Sequence, residues 1–159
     1  MKKNYLLKFF LIVLVIALDL VTKEIFYGQD ITFIPQVISC RDVGALNTGG
    51  AWGIMGDSPW ILVAFTFIFL VLVVVLEMKW KNDNMLYSIA LSFVVGGALG
   101  NLIDRIFLGG VRDFLFFEFW VDFPTFNVAD SFLCVGVVLL AIFILFIDKE
   151  AKGESKWII

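Results

Sequence analysis

The chain has 159 residues, enough for one domain over 1–159, and 61% of them are hydrophobic. Its net charge of −3 comes without a basic stripe, so nucleic acid is not an expected partner. The absence of histidine excludes Ser-His-Asp and Cys-His hydrolases and the common mixed zinc sites. We therefore expect no metal and no cofactor, and carboxylates are the obvious acid–base groups that remain.

Four apolar segments each approach the ~20 residues that a helix needs to cross a bilayer, which predicts an integral membrane α-helical fold. The predicted spans are 5–25, 59–78, 85–106 and 128–147. The apolar run of the first span leads into residues 19–23, and no small-residue cleavage site follows it. We therefore expect the first span to be a retained anchor and not a cleaved signal peptide.

The basic residues predict the orientation of these spans. Eight of the twelve lie before or in the first turn of span one, between spans two and three, or after span four: Lys2, Lys3, Lys8, Lys79, Lys81, Lys149, Lys152 and Lys156. The positive-inside rule then places both termini in the cytoplasm and turns the connections 26–58 and 107–127 outward.

Asp19 and Lys23 stand one helical turn apart near the outer end of span one. An acid four residues before a base is the favourable order for an ion pair on one helix face. Because ion pairs in such positions are often structural, we expect this pair to support the fold.

The first outer connection predicts a small β-element on the membrane surface. Segments 31–34 and 37–38 flank Pro35 and are typical of short strands. Asn47, which offers both a donor and an acceptor, is followed by glycines at 49, 50 and 53 that permit tight turns and close backbone approach. A plain turn explains these glycines as well as a binding loop does.

Span three ends in a glycine-rich and charged segment. Gly96 and Gly100 stand four apart, which lets another helix approach closely. Asn101, Asp104 and Arg105 follow on one helix face, which should point to the protein interior or a wet cavity. Asp104 is expected to pair with a cation, while Asn101 and Arg105 could donate to the backbone carbonyls of a substrate.

The second outer connection is aromatic. Segment 114–123 carries five phenylalanines and Trp120, with Glu118 and Asp122 among them. This composition is typical of the membrane–water interface, so we expect an aromatic interfacial segment between spans three and four that could shelter a reaction site.

Asp113 and Asp130 lie at the two ends of this connection, and a carboxyl at membrane depth is costly enough to be a functional candidate. Two adjacent carboxyls share one proton, so one can accept a proton from water while the other polarises a peptide carbonyl. Each acid could equally border a helix, because Asn127 is a candidate N-cap with Asp130 at the third helical position. Since a helix N-terminus favours the carboxylate, we expect Asp130 to ionise and Asp113 to hold the shared proton.

Together these motifs resemble the bacterial lipoprotein signal peptidases (signal peptidase II). The matching segments are 19–23, 47–53, 96–105, 111–114 and 126–131, and the resemblance covers essentially the whole chain. It implies one membrane-embedded aspartic endopeptidase domain in the bacterial inner membrane, with Asp113 and Asp130 as catalytic dyad near the outer face. The implied substrate is a prolipoprotein with diacylglycerol on a cysteine, cut just before that cysteine.

The resemblance also implies roles for other residues and partners. Membrane lipid and a globomycin-type inhibitor are implied partners, and a monomer is expected. The implied substrate-binding residues are Asn47, Asn101, Arg105 and Asn127, and the implied structural supports are Asp19, Lys23, Gly49, Gly100 and Asp104.

The chain departs from the family pattern at two positions. Trp52 stands where phenylalanine is frequent, and Arg112 stands where a small apolar residue usually precedes the catalytic aspartate. A guanidinium turned toward Asp113 would lower its pKa. We therefore expect Arg112 to point to solvent or lipid headgroups.

Two other classes of protein are compatible with four spans and buried acids. A small proton-coupled transporter would use such acids as a relay, but its carboxyls should lie near the midplane and often between repeats. A non-enzymatic scaffold would use them as caps and ion pairs.

Overall fold

The computed structural model describes residues 4–49, 58–80, 82–120 and 122–148. Within these ranges the chain forms four helices that are long and apolar enough to cross a membrane. They are α1 (Tyr5–Phe26), α2 (Pro59–Trp80), α3 (Met85–Leu108) and α4 (Val128–Ile142), the last continued by a π-helical segment (Phe143–Ile147). Helices occupy the four predicted segments, and no helix end differs from the predicted end by more than two residues.

Helix α3 lies at the centre of the bundle, between α1 and α4. In the most apolar stretch of α3, 61% of the residues are buried, whereas none are buried in the corresponding stretch of α2. A Cβ on Gly96 would lie 2.8 Å from Cβ of Val15 in α1, and a Cβ on Gly97 would lie 2.4 Å from the carbonyl oxygen of Ala129 in α4. Gly96, one of the two glycines whose spacing predicts a close helix approach, thus lets α1 pack closely, and Gly97 does the same for α4 on another face of α3.

A small antiparallel sheet of three strands lies within the described ranges, in the order β1 (Ile31–Ile34), β2 (Ile38–Cys40) and β3 (Leu115–Phe117). The two predicted strands around Pro35 are present. The sheet extends beyond the predicted β-element, because β3 comes from the aromatic segment. Its residues Leu-Phe-Phe favour strands, and Phe116 pairs with Ser39 and is buried.

Main-chain hydrogen bonds tie the two connections together beside the sheet. Asn47 and Val111 exchange hydrogen bonds of 2.8 and 2.9 Å. The Phe114 N–H donates to the Phe126 carbonyl at 3.0 Å, and the Phe114 carbonyl accepts from Arg41 at 2.9 Å. Segment 111–114 is therefore fixed on both sides, and it reaches the start of α4.

The opposite end of the bundle joins the start of α1 to the α2–α3 connection. Asn4 donates to the carbonyl of Asp83 at 3.1 Å, and Lys8 forms an ion pair with Glu77. The Tyr87 hydroxyl donates to the same Glu77 carboxylate at 2.9 Å. These contacts place the beginning of the chain and the α2–α3 connection at one end, away from segment 111–114.

Candidate active site

Asp113 and Asp130 line the same cavity of about 740 Å³, at the end of the bundle where α3 ends and α4 begins. Asn47, Asn101 and Arg105 line it as well. The other lining residues are mostly apolar: Val43, Ala45, Leu46, Val111, Phe123, Pro124, Thr125, Phe126, Leu133 and Cys134.

Asp130 is fixed by the first turn of α4. The Asn127 side-chain oxygen accepts from the Asp130 N–H at 2.9 Å, and Asp130 Oδ2 accepts from the Asn127 N–H at 3.2 Å. This is the predicted capping box, with Asn127 as N-cap. The other carboxylate oxygen of Asp130 accepts from Asn101 Nδ2 at 2.7 Å. The capping role therefore also orients the carboxyl toward the cavity.

Asp113 is held by two side-chain amides. Its Oδ1 accepts from Asn127 Nδ2 at 2.7 Å, and its Oδ2 accepts from Asn47 Nδ2 at 2.8 Å. The residue is only 3% exposed. Burial, followed by the charge of Asp130, raises the pKa of Asp113 to about 6, although the two amide hydrogen bonds act in the opposite direction. Half of Asp113 is therefore protonated at about pH 6, and only a minority at pH 7.

Asn127 contacts both aspartates and so brings them together. Its side-chain nitrogen donates to Asp113, while its main-chain nitrogen donates to Asp130. The same side-chain nitrogen also donates to Asn101 Oδ1 at 3.0 Å. Two carboxyls bound to one residue on one cavity wall can act as an acid–base pair.

A buried ion cluster lies behind Asp113 and Asp130. Lys23 Nζ is 2.7 Å from Asp19 Oδ2 and 3.3 Å from Asp104 Oδ2, and all three side chains are at most 1% exposed. The predicted Asp19–Lys23 pair and the predicted cation partner of Asp104 are both present. The second Asp19 oxygen accepts from the N–H of Ala129 at 2.9 Å, next to Asp130.

Asn101 connects this ion cluster to Asp130. Its side-chain oxygen accepts from Lys23 Nζ at 3.1 Å, while its nitrogen donates to Asp130. Gly100 makes room for the cluster, because a Cβ there would lie 2.6 Å from Asp19 Oδ2. The predicted supporting residues are therefore in direct contact with the groups that hold the carboxyls.

The expectation for Arg112 was wrong. Its guanidinium does not point to solvent but binds Asp104, with Nη2 at 2.9 Å from Oδ1 and Nε at 3.2 Å from Oδ2. Nη1 also contacts Glu24 at 3.1 Å. The physical reason is the buried Asp104 carboxylate, whose hydrogen bond with Arg112 raises the pKa of the guanidinium.

Arg105 and Gly49 form another part of the cavity wall. The Gly49 N–H donates to Asn47 Oδ1 at 3.1 Å, which closes a turn, and the Gly49 carbonyl lies 3.4 Å from Arg105 Nη2. Arg105 Nε is buried and has no hydrogen-bond partner among the described residues. The guanidinium therefore retains donor capacity. Trp52 and the glycines at 50 and 53 lie outside the described residues.

Sequence reasoning missed much of the apolar cavity wall. Leu133 and Cys134 line the cavity because they follow Asp130 by three and four residues on one helix face. That spacing was the available signal. Phe123 and Phe126 belong to the aromatic segment, but their place on the wall depends on how the second connection folds back onto α4.

The comparisons with known proteins agree on one family. Residues 11–146 match the family model described as signal peptidase (SPase) II. A relative from Ectopseudomonas mendocina (strain ymp), named lipoprotein signal peptidase, is 39% identical over 156 residues, which is 91% of this chain and 90% of the relative.

Two solved structures are similar over nearly the full length, and each is described as a bacterial membrane enzyme structure obtained by the in meso method. The one at 2.3 Å resolution is 32% identical, with a TM-score of 0.83 over 99% of this chain and 98% of that chain. The one at 1.9 Å is 34% identical, with a TM-score of 0.81 over 92% of this chain and 97% of that chain.

These matches favour the peptidase over the transporter and the scaffold. The chain belongs to the signal peptidase II family and is a membrane aspartic peptidase that cleaves lipoprotein signal peptides.

Proposed function

We propose that Asp113 and Asp130 are the catalytic dyad of this peptidase. The observation that carries the proposal is the placement of Asn127, which donates from its side chain to Asp113 and from its main chain to Asp130. Both carboxyls line the same cavity, and the pKa of Asp113 is raised to about 6 by burial and by the charge of Asp130. This is the environment in which two carboxyls share a proton.

The division of labour follows from the position of each carboxyl. Asp130 lies in the first turn of α4, where the helix dipole favours a carboxylate, so it removes a proton from the attacking water. Asp113 holds the shared proton and hydrogen-bonds the oxygen of the scissile carbonyl. Water oxygen bonds to the carbonyl carbon; the carbon–nitrogen bond then breaks, and the proton taken by Asp130 passes to the leaving amine.

The remaining cavity residues fit a peptide substrate with an apolar attachment. Arg105 and Asn47 line the cavity and offer side-chain N–H donors to the backbone carbonyls of a substrate. Asn101 and Asn127 first orient the dyad, and they can contact a substrate with any remaining amide hydrogen. The apolar wall suits a diacylglyceryl cysteine that arrives by lateral diffusion in the membrane, and segment 114–123 shelters the scissile bond.

The enzyme acts at the outer face of the bacterial inner membrane. The distribution of basic residues supports cytoplasmic termini, and the cavity lies at the end of the bundle away from Lys8 and the α2–α3 connection. The protein works as a monomer that contacts membrane lipid. A globomycin-type cyclic peptide would inhibit it by occupying the same cavity.

Cleavage of a purified prolipoprotein by Asp113→Asn and Asp130→Asn variants tests the proposal. Since proton transfer by a placed side chain contributes about 10²–10⁴ in rate, each variant should lose at least ~100-fold in kcat while retaining a cooperative thermal transition. Cleavage at the parent rate by either folded variant would rule out this dyad.

The lipid requirement is tested separately with the parent enzyme. A precursor that carries the diacylglyceryl group should be cut, while the same precursor without it should be cut far more slowly. Equal cleavage of both precursors would contradict the lipid requirement and leave the dyad untouched.

A further inference from the structure

Arg112 binds the buried Asp104 carboxylate in three ways. Its main-chain N–H donates to Asp104 Oδ2 at 3.1 Å, its Nε donates to the same oxygen at 3.2 Å, and its Nη2 donates to Oδ1 at 2.9 Å. The Asp104 side chain is 1% exposed and the Arg112 side chain 15%. A guanidinium fork on both oxygens of a buried carboxylate is a strong and geometrically restrictive contact.

The guanidinium also balances the charge of the buried cluster. Asp19, Lys23 and Asp104 together carry one net negative charge, and Arg112 brings the sum to zero. Without Arg112, the charge of Asp104 would be balanced mainly by Lys23, which is already 2.7 Å from Asp19. An uncompensated buried carboxylate would draw Lys23 away from its other partners.

The ion pair between Arg112 and Glu24 is a poor alternative explanation for this arginine. The Glu24 side chain is 83% exposed, and pairs of that kind contribute little. It also lacks the two-oxygen geometry of the Asp104 contact.

Two physical routes lead from Arg112 to the dyad. One is covalent, because Arg112 precedes Asp113 in segment 111–114. The other passes through Asp104 to Lys23, and from Lys23 through Asn101 to Asp130. A small apolar residue at position 112 could offer Asp104 only its main-chain N–H.

We infer that Arg112 is a positioning residue for this peptidase. Its bidentate contact with Asp104 fixes segment 111–114 and the Lys23–Asn101 contact, and thereby keeps the carboxyls of Asp113 and Asp130 in their positions relative to each other. The inference rests on the proposed dyad. It assigns to Arg112 a side-chain contact with Asp104 that a small apolar residue at this position could not make.

The test is a kinetic comparison of Arg112→Met, Arg112→Lys and Glu24→Gln with the parent enzyme on one lipid-modified precursor. Small misplacements of catalytic groups are costly in rate, so Arg112→Met should lower kcat about tenfold and leave KM within about twofold. Arg112→Lys keeps the charge but not the fork and should recover only part of kcat. Glu24→Gln is the matched control and should match the parent.

A double variant identifies the route. In an Asp104→Asn background, Arg112→Met should lower kcat much less than it does alone, because the contact it removes has already been weakened. An equal loss in both backgrounds would overturn the inference, as would an unchanged kcat in Arg112→Met. If Arg112→Met does not fold, Arg112→Lys decides: lower kcat with a parental Tm supports positioning, and parental kcat contradicts it.

Failure of this inference is distinguishable from failure of the proposed function. Inactive Asp113→Asn and Asp130→Asn variants with a fully active Arg112→Met variant would keep the dyad and reject the positioning role. Active Asp113→Asn or Asp130→Asn variants would reject the dyad itself, whatever Arg112→Met does.

Discussion

Replacing Asn127 by serine separates the two roles of its side chain. Serine is a good N-cap, so the first turn of α4 should persist, but it lacks the Nδ2 that donates to Asp113 at 2.7 Å. The carboxyl of Asp130 keeps its donors, which are Asn101 Nδ2 and the main-chain N–H at position 127. The substitution also removes the 3.0 Å hydrogen bond from Nδ2 to Asn101 Oδ1, but the only carboxyl that loses a donor directly is Asp113.

The size of the effect follows from the hydrogen bond that is lost. A hydrogen bond to a charged group contributes about 1.5–3 kcal/mol, and each ~1.4 kcal/mol corresponds to about one pKa unit. The bond stabilises the ionised form of Asp113, so its loss raises a pKa that already lies at about 6. We expect the new value at about 7 to 8, roughly one to two units higher.

The assay is the pH dependence of kcat/KM, which reports the free enzyme. Because Asp113 must be protonated, activity should fall above its pKa, near pH 6 in the parent and one to two units higher in Asn127→Ser. Asn127→Ala is the control for capping: it should show the same shift and lose about 1 kcal/mol of stability. If the pH at which the activity of Asn127→Ser falls is the same as in the parent, or lower, the assignment of the proton to Asp113 is refuted.

Three further predictions concern stability. Gly100→Ala should destabilise the protein by about 1–3 kcal/mol, measured as Tm, because the new Cβ would lie 2.6 Å from Asp19 Oδ2. Lys8→Met should cost about 2 kcal/mol by leaving Glu77 without its cation, while kcat/KM stays at the parent value because this pair lies at the other end of the bundle. Burial raises the pKa of Asp113 from 3.8 to about 6, so the native state binds the extra proton between these values and stability falls as pH rises through them. The loss is about 3 kcal/mol, and Asp113→Asn should abolish this slope in unfolding experiments at pH 4 to 7.

Local patterns in the sequence predicted much of the fold and of the candidate site. The four spans follow from apolar length, and the Asp19–Lys23 pair follows from spacing within one helix. The capping box of α4 is equally local, since Asn127 and Asp130 are three residues apart. Such features need no knowledge of which elements pack together.

What could not be predicted depends on contacts between distant segments. Strand β3 forms because Phe116 meets Ser39 across the two connections, and neither segment alone specifies that pairing. The fork of Arg112 on Asp104 likewise depends on how segment 111–114 folds back over the end of α3. From its own neighbours, an arginine beside an outer loop is expected to be solvated.

The central claim is that Asp113 and Asp130 act as one unit. The most direct measurement compares kcat for Asp113→Asn, Asp130→Asn and the double variant, each with its Tm, on the same lipid-modified precursor. Residues that act as a unit are strongly non-additive, so each single variant should lose at least ~100-fold and the double variant should lose little more. Losses that multiply in the double variant, or parental cleavage by either single variant, would contradict the shared-proton dyad.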